Sequence, residues 1–132
     1  MVPDDPAHPA GGRILVVDDE PHIRRILTAL LGMEGFEVSL ARDGTEGLRV
    51  WKNEAFDLVI LDLIMPGASG LEVLAKIRSD PDRGTIPVII LTAKGQDTDR
   101  QAALAGGADD FLTKPFSPKK LVARIREILS EH

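Results

Sequence analysis

Arg13-Ile14-Leu15-Val16-Val17-Asp18-Asp19-Glu20-Pro21 is the stretch on which the architecture turns. Four consecutive aliphatic residues are too few for a helix and predict a short strand buried on both faces. The run stops at three acidic residues and a proline. Pro fits the first turn of a helix, and carboxylates favour the positive end of its dipole, so this segment predicts a helix start. Ile23, Ile26, Leu27, Leu30 and Leu31 then share one helical stripe, and Gly35 ends it.

The same unit recurs down the chain. Phe36 to Leu40 is a weaker second strand, and Asp43-Gly44 turns into a short helix carrying Leu48 and Trp51, with Gly47 inside it. Leu58-Val59-Ile60-Leu61 is a third strand ending at Asp62. After the loop Met65-Pro66-Gly67, Leu71, Leu74 and Ile77 mark a helix, and Asp80-Pro81-Asp82-Arg83-Gly84 is a turn cluster. Val88 to Leu91 is a fourth strand ending at Thr92. A helix of weak apolar content spans Thr98 to Ala105. Asp110 to Thr113 is a short fifth strand before Lys114-Pro115, and the last helix carries Leu121, Ile125, Ile128 and Leu129. Five strands alternating with five helices predict an α/β fold: an open parallel sheet with helices on both faces. Five strands are too few for an eight-fold barrel. Residues 1–12, with three prolines and two glycines, predict a disordered leader. Residues 13–132 form one domain, with no effector domain expected among them.

Composition narrows the function. The 132 residues are 43% hydrophobic and 28% charged, the balance of a globular domain. There is no cysteine, which excludes a disulfide scaffold, thiolate-held zinc and thiol catalysis. A net charge of −5, aromatics at 4% and no tyrosine argue against direct nucleic-acid binding. The apolar runs are too short to span a bilayer, and the N-terminus lacks the basic and apolar regions of a signal peptide, so no membrane association and a cytoplasmic location are expected. His8, His22 and His132 have no ligand spacing, so no histidine-based phosphotransfer site is expected in this chain. Neither GxxxxGK[ST] nor GxGxxG occurs, so nucleotide binding has no support.

In an open parallel sheet, ligands sit beyond the carboxyl ends of the strands. The first strand leaves Asp18 and Asp19 there, the third Asp62, the fourth Thr92 and the fifth Lys114; the second leaves only Ala41 and Arg42. One acidic helix cap is commonplace, but two consecutive Asp exceed what capping requires. Asp62 precedes no helix start. Gathered carboxylates repel one another and invite a hard divalent cation such as Mg²⁺. A metal, a lysine and a hydroxyl around one carboxylate make a receptor for a phosphoryl group, and the carboxylate can itself be the nucleophile.

Four motifs in this order resemble the response-regulator receiver domains of two-component signalling: Val17-Asp18-Asp19-Glu20; Leu61-Asp62-Leu63-Ile64-Met65-Pro66-Gly67 with Gly70; Leu91-Thr92-Ala93; and Gly107 through Phe116. The resemblance covers residues 13–130. It implies a flavodoxin-like sheet of strand order 2-1-3-4-5 and the role of a switch, not an enzyme. It also implies that Asp62 is the phospho-acceptor, and that Asp18, Asp19, Asp62 and the Ile64 backbone carbonyl hold Mg²⁺. Thr92 and Lys114 would bind the phosphoryl group, Thr92 and Phe111 would form the switch, and the Lys114–Pro115 bond would be cis. The implied partners are a sensor histidine kinase or phosphotransfer protein, a downstream effector protein or domain, and a phosphorylation-dependent homodimer. Asp109, Asp110 and Arg124 match charged positions of receivers that dimerise through their last helices, whereas Lys119-Lys120-Leu121 departs from that pattern. Two other functions use the same residue types: a haloacid-dehalogenase-type phosphatase, and a degenerate receiver acting only as a scaffold. The first would need a second Asp at Ile64.

Overall fold

The computed structural model describes residues 11–93 and 97–131, with the backbone alone at 97–99. Residues 1–10 of the expected leader lie outside the described residues, as do His8 and His132. Gly11 is already tied to the fold, its N–H donating to the Gly35 carbonyl at 3.1 Å.

Strands and helices alternate as β1 (Arg13–Val17), α1 (Pro21–Met33), β2 (Glu37–Ala41), α2 (Gly44–Asn53), β3 (Leu58–Asp62), α3 (Gly70–Arg78), β4 (Val88–Thr92), α4 (Asp97–Ala105), β5 (Asp110–Thr113) and α5 (Pro118–Glu131). All pairings are parallel and the order is β2-β1-β3-β4-β5, the flavodoxin-like arrangement expected. The order reverses between β1 and β3, which opens the crevice where ligands bind in such sheets.

Side-chain alternation along the strands splits the core in two. Ile14, Val16, Leu58, Ile60, Ile89 and Leu91 face α1 and α5, against Leu27, Leu31, Leu121 and Ile125. Leu15, Val17, Val59, Leu61, Val88 and Ile90 face the other helices, against Trp51, Val73, Leu74, Ile77 and Ala103. Covered on both sides, β3 and β4 are buried throughout, and their apolar runs end in Asp62 and Thr92 at the same rim.

The expected boundaries hold within a residue or two. Strand β2 starts at Glu37 because Gly35, at φ +92°, reverses the chain and leaves the Phe36 N–H bonded to the Leu31 carbonyl. Helix α1 starts at Pro21, as the acidic run and the proline predict. Glu20 occupies the cap position without a side-chain bond, while Asp18 Oδ1 accepts the Glu20 N–H at 2.9 Å. No helix among the described residues is long and apolar enough to cross a membrane.

Candidate functional site

Four carboxylates meet where β1 and β3 end. Asp18, Asp19, Glu20 and Asp62 each offer an oxygen, and these atoms lie within 4.8 Å of one another. Asp18 and Asp62 are buried, Asp19 is exposed and Glu20 lies between. The loop from β5 brings Lys114 over them. Its Nζ lies 3.0 Å from Asp18 Oδ2, 3.0 Å from Glu20 Oε1 and 3.4 Å from Asp62 Oδ2. The Lys114–Pro115 peptide is cis, as the resemblance implies, and the Lys114 N–H donates to the Thr92 carbonyl at 2.6 Å. The cavity above holds about 230 Å³ and is lined by Asp19, Glu20, Asp62, Ile64, Ala93 and Lys114.

One ammonium does not balance four carboxylates. Burial and then the neighbouring Asp18 charge push the Asp62 carboxyl up to about 7, with Lys114 and the Ile64 N–H pulling the other way. Burial raises Asp18 as well, against the Glu20 N–H and Lys114. For Lys114, burial favours the neutral form, but Asp18, Asp62 and Glu20 outweigh it and raise its pKa. Asp18 Oδ2 is buried and accepts no hydrogen bond, its contact with Lys114 being an ion pair alone. An all-oxygen donor set, mutual repulsion and a buried oxygen without a hydrogen-bond donor suit a hard divalent cation.

The sequence-selected residues assemble unequally. Asp19, Asp62, Ile64 and Lys114 line the cavity, and buried Asp18 joins them through the carboxylate cluster and its ion pair with Lys114. The Ile64 N–H donates to Asp62 Oδ1 at 3.3 Å and the residue is 57% exposed. Thr92 ends the adjacent strand, but it is fully buried and its Oγ1 has no hydrogen-bond partner. Phe111 is outside the cavity, partly buried on the α4 side of the sheet, with the Arg100 guanidinium 4.8 Å from its ring centroid. Two participants were not singled out from sequence. Glu20 holds Lys114; it stood in the first motif without a role. Arg24 Nη1 donates to the Asp18 carbonyl at 2.7 Å, pinning the acidic turn from the next helix, and no sequence pattern marks it. Asp109 and Asp110 are engaged within the chain, by Arg78 and Arg124.

Comparison with known proteins agrees with this geometry. The family matched over residues 14–126 is described as the response regulator receiver domain. The chain is 50% identical over 117 residues to a protein of Cyanophora paradoxa named probable transcriptional regulator ycf27, covering 89% of this chain and 48% of that protein. It is 44% identical over 114 residues to the DNA-binding response regulator MtrA of Mycolicibacterium smegmatis, covering 86% and 49%. The chain thus spans about half the length of these curated relatives. Among solved structures, a putative response regulator from Chloroflexus aurantiacus superposes with a TM-score of 0.86 at 34% identity, covering 90% of this chain and 98% of that one.

Proposed function

The chain belongs to the response regulator receiver domain family, and on that premise we propose that it is a phosphoryl-accepting switch whose acceptor is Asp62. The observation that carries the reading is the convergence of buried Asp18 and Asp62 with Asp19 and Lys114 in one cluster. An Asp62 oxygen attacks the phosphorus of a phosphohistidine on a sensor histidine kinase or phosphotransfer protein. The new O–P bond forms as the P–N bond breaks, and the imidazole nitrogen leaves and takes a proton. The nucleophile must be the carboxylate, and a carboxyl near 7 is only partly ionised at neutral pH. A cation beside it therefore favours the reactive form.

Asp18, Asp19, Asp62 and the Ile64 carbonyl would hold Mg²⁺, which supplies positive charge to the phosphoryl oxygens. Lys114 sits 3.4 Å from Asp62 and can leave Glu20 to follow the added charge. The orphaned Thr92 hydroxyl gains an acceptor in the phosphoryl group. Moving Thr92 toward it vacates space behind, which Phe111 can fill by turning inward. The readout falls on α4, whose described residues bury only Ala103 fully, with Leu104 43% exposed. An effector protein or domain would read that face in the cytoplasm, and a phosphorylation-dependent homodimer is a further form of output.

The test is phosphorylation by acetyl phosphate with Mg²⁺, read by intact mass. Wild type should gain one base-labile phosphoryl group, lost with EDTA and with Asp62→Asn. The same increment on Asp62→Asn would refute the assignment, and no increment on wild type would favour a scaffold.

A further inference from the structure

The structure assigns Gly44, the first residue of α2, a positioning role in the Asp62 site, resting on the phospho-acceptor reading above. The loop of residues 63–69 leaves Asp62 and carries Ile64 along the cavity rim. It is held from below by the buried side chains of Leu63 and Met65. Its two flanks meet glycines. A Cβ on Gly44 would lie 1.9 Å from the Ala68 carbonyl oxygen and 2.8 Å from the carbonyl carbon. A Cβ on Gly70, at the start of α3, would lie 2.4 Å from the Asp62 carbonyl oxygen and 2.6 Å from Leu63 Cα. All these neighbours are backbone, so none can give way by a rotamer change.

The wall behind Gly44 is rigid. Asp43 Oδ1 accepts the Glu46 N–H at 2.8 Å, and Glu46 Oε1 accepts the Arg42 N–H at 2.9 Å, so the helix start is capped from both directions. Trp51 and Gly47 seat the helix on the sheet, Gly47 closely enough that a Cβ would come within 2.9 Å of Val17 Cγ1. The start of α2 is thus a fixed surface against which the loop closes. Only a residue without a side chain allows it to close far enough to hold the Ile64 backbone beside Asp62. Gly44 touches neither cation nor phosphoryl group; it sets where their ligands stand.

The experiment compares Gly44→Ala with Gly84→Ala in the full chain. A Cβ at Gly84 would also meet backbone, 2.5 Å from the Asp80 carbonyl oxygen and 2.7 Å from that of Arg78, a clash less severe than at Gly44, but it lies away from the cavity. Mg²⁺ binding is read by calorimetry and phosphorylation by acetyl phosphate, each corrected for the folded fraction. Both variants should lose stability. Gly44→Ala should also weaken Mg²⁺ and slow phosphorylation by about tenfold or more, the scale of a displaced ligand support; Gly84→Ala should match wild type in both. If Gly44→Ala does not fold, Ala68→Gly decides, since it slackens the loop without a clash and should weaken Mg²⁺ about two- to fivefold. Wild-type Mg²⁺ affinity in folded Gly44→Ala, or in Ala68→Gly when it decides, overturns the proposal alone. A wild-type protein that takes neither Mg²⁺ nor a phosphoryl group overturns the reading of the site, and the proposal with it.

Discussion

The two ends of the sheet treat the same residue type in opposite ways. At the amino end, Asp57 Oδ2 accepts the Arg13 N–H at 2.7 Å. Asp109 Oδ2 accepts the Val88 N–H at 2.8 Å and pairs with Arg78 at 3.1 Å. Arg78 also donates to the carbonyls of Gly84, Ile86 and Gly107. At the carboxyl end three of four clustered carboxylates share one ammonium, and Asp18 Oδ2 and Thr92 Oγ1 are buried without hydrogen bonds. A carboxylate matched to donors stabilises a fold; one crowded by others destabilises it until a cation arrives. Among the described residues, buried side-chain atoms without a hydrogen bond are confined to this one rim, which is how a binding site differs from a framework.

The contrast breaks most visibly at Arg78. Arg78→Met keeps the aliphatic stem but removes five hydrogen bonds to three carbonyls and Asp109. Bonds to a charged donor in a partly buried site put the expected loss at about 2–4 kcal/mol by urea denaturation. Phosphorylation of the folded fraction should be unchanged. A loss below ~1 kcal/mol, within the range of ordinary surface substitutions, would mean the amino end is not the framework described here.

The carboxyl rim should respond with the reverse sign. An unfolded Asp titrates near 3.8, and folded Asp62 near 7. Between these values the folded state binds more protons, so in EDTA the metal-free protein should lose stability as the pH rises from about 4 to 7. Three pKa units set a ceiling of about 4 kcal/mol; relaxation and water at the cavity bring the expectation to ~1–2 kcal/mol. Asp62→Asn should be more stable than wild type at pH 8 by that amount and equal to it near pH 4. Mg²⁺ should raise wild-type stability at pH 8 and much less at pH 5, where protons already occupy the site. Destabilisation by Asp62→Asn at pH 8 would place Asp62 with the matched carboxylates of the opposite end.

That inversion explains what was legible in sequence. Strand ends were readable because β1, β3 and β4 are covered on both faces and so are apolar without interruption; the polar residue that ends each run stands out. Asp18, Asp62 and Thr92 were found this way, whereas Lys114 follows β5, which is only partly buried. The supports were not readable, because they are long-range or act through backbone. Arg78 reaches Gly107 across the chain, Arg24 bonds a carbonyl rather than a carboxylate, and Gly44 matters through a side chain it lacks. A local pattern shows an end of a strand, whereas a contact between two loops needs the fold first. The helix start at Pro21 was legible because it is local, whereas the turn of Asp18 back to the Glu20 N–H, away from capping α1, belongs to the cluster and needs the fold.

The smallest expected effect lies between the two ends, where α4 meets β5. Arg100 rests on the face of Phe111 with its guanidinium carbon 4.8 Å from the ring centroid. Phe111 has no hydroxyl with which to fix its orientation, so the face contact is part of what holds the ring where it is. On the opposite flank Arg83 lies 4.0 Å from the Trp51 ring and also donates to the Trp51 and Glu54 carbonyls, so that pair is anchored to backbone. A partly exposed cation–π contact contributes about 0.5–1 kcal/mol. A double-mutant cycle with Arg100→Met and Phe111→Leu should return a coupling of about 0.5 kcal/mol in the unphosphorylated protein. If Phe111 turns inward when Asp62 is charged, its face leaves Arg100, and the cycle repeated with Mg²⁺ and beryllofluoride should return a coupling near zero. Arg83→Met with Trp51→Phe should give the same coupling in both states, because nothing at that flank follows Asp62. A coupling at Arg100 that survives beryllofluoride unchanged would fix the ring in place and leave α4 without a link to the phosphoryl group through Phe111.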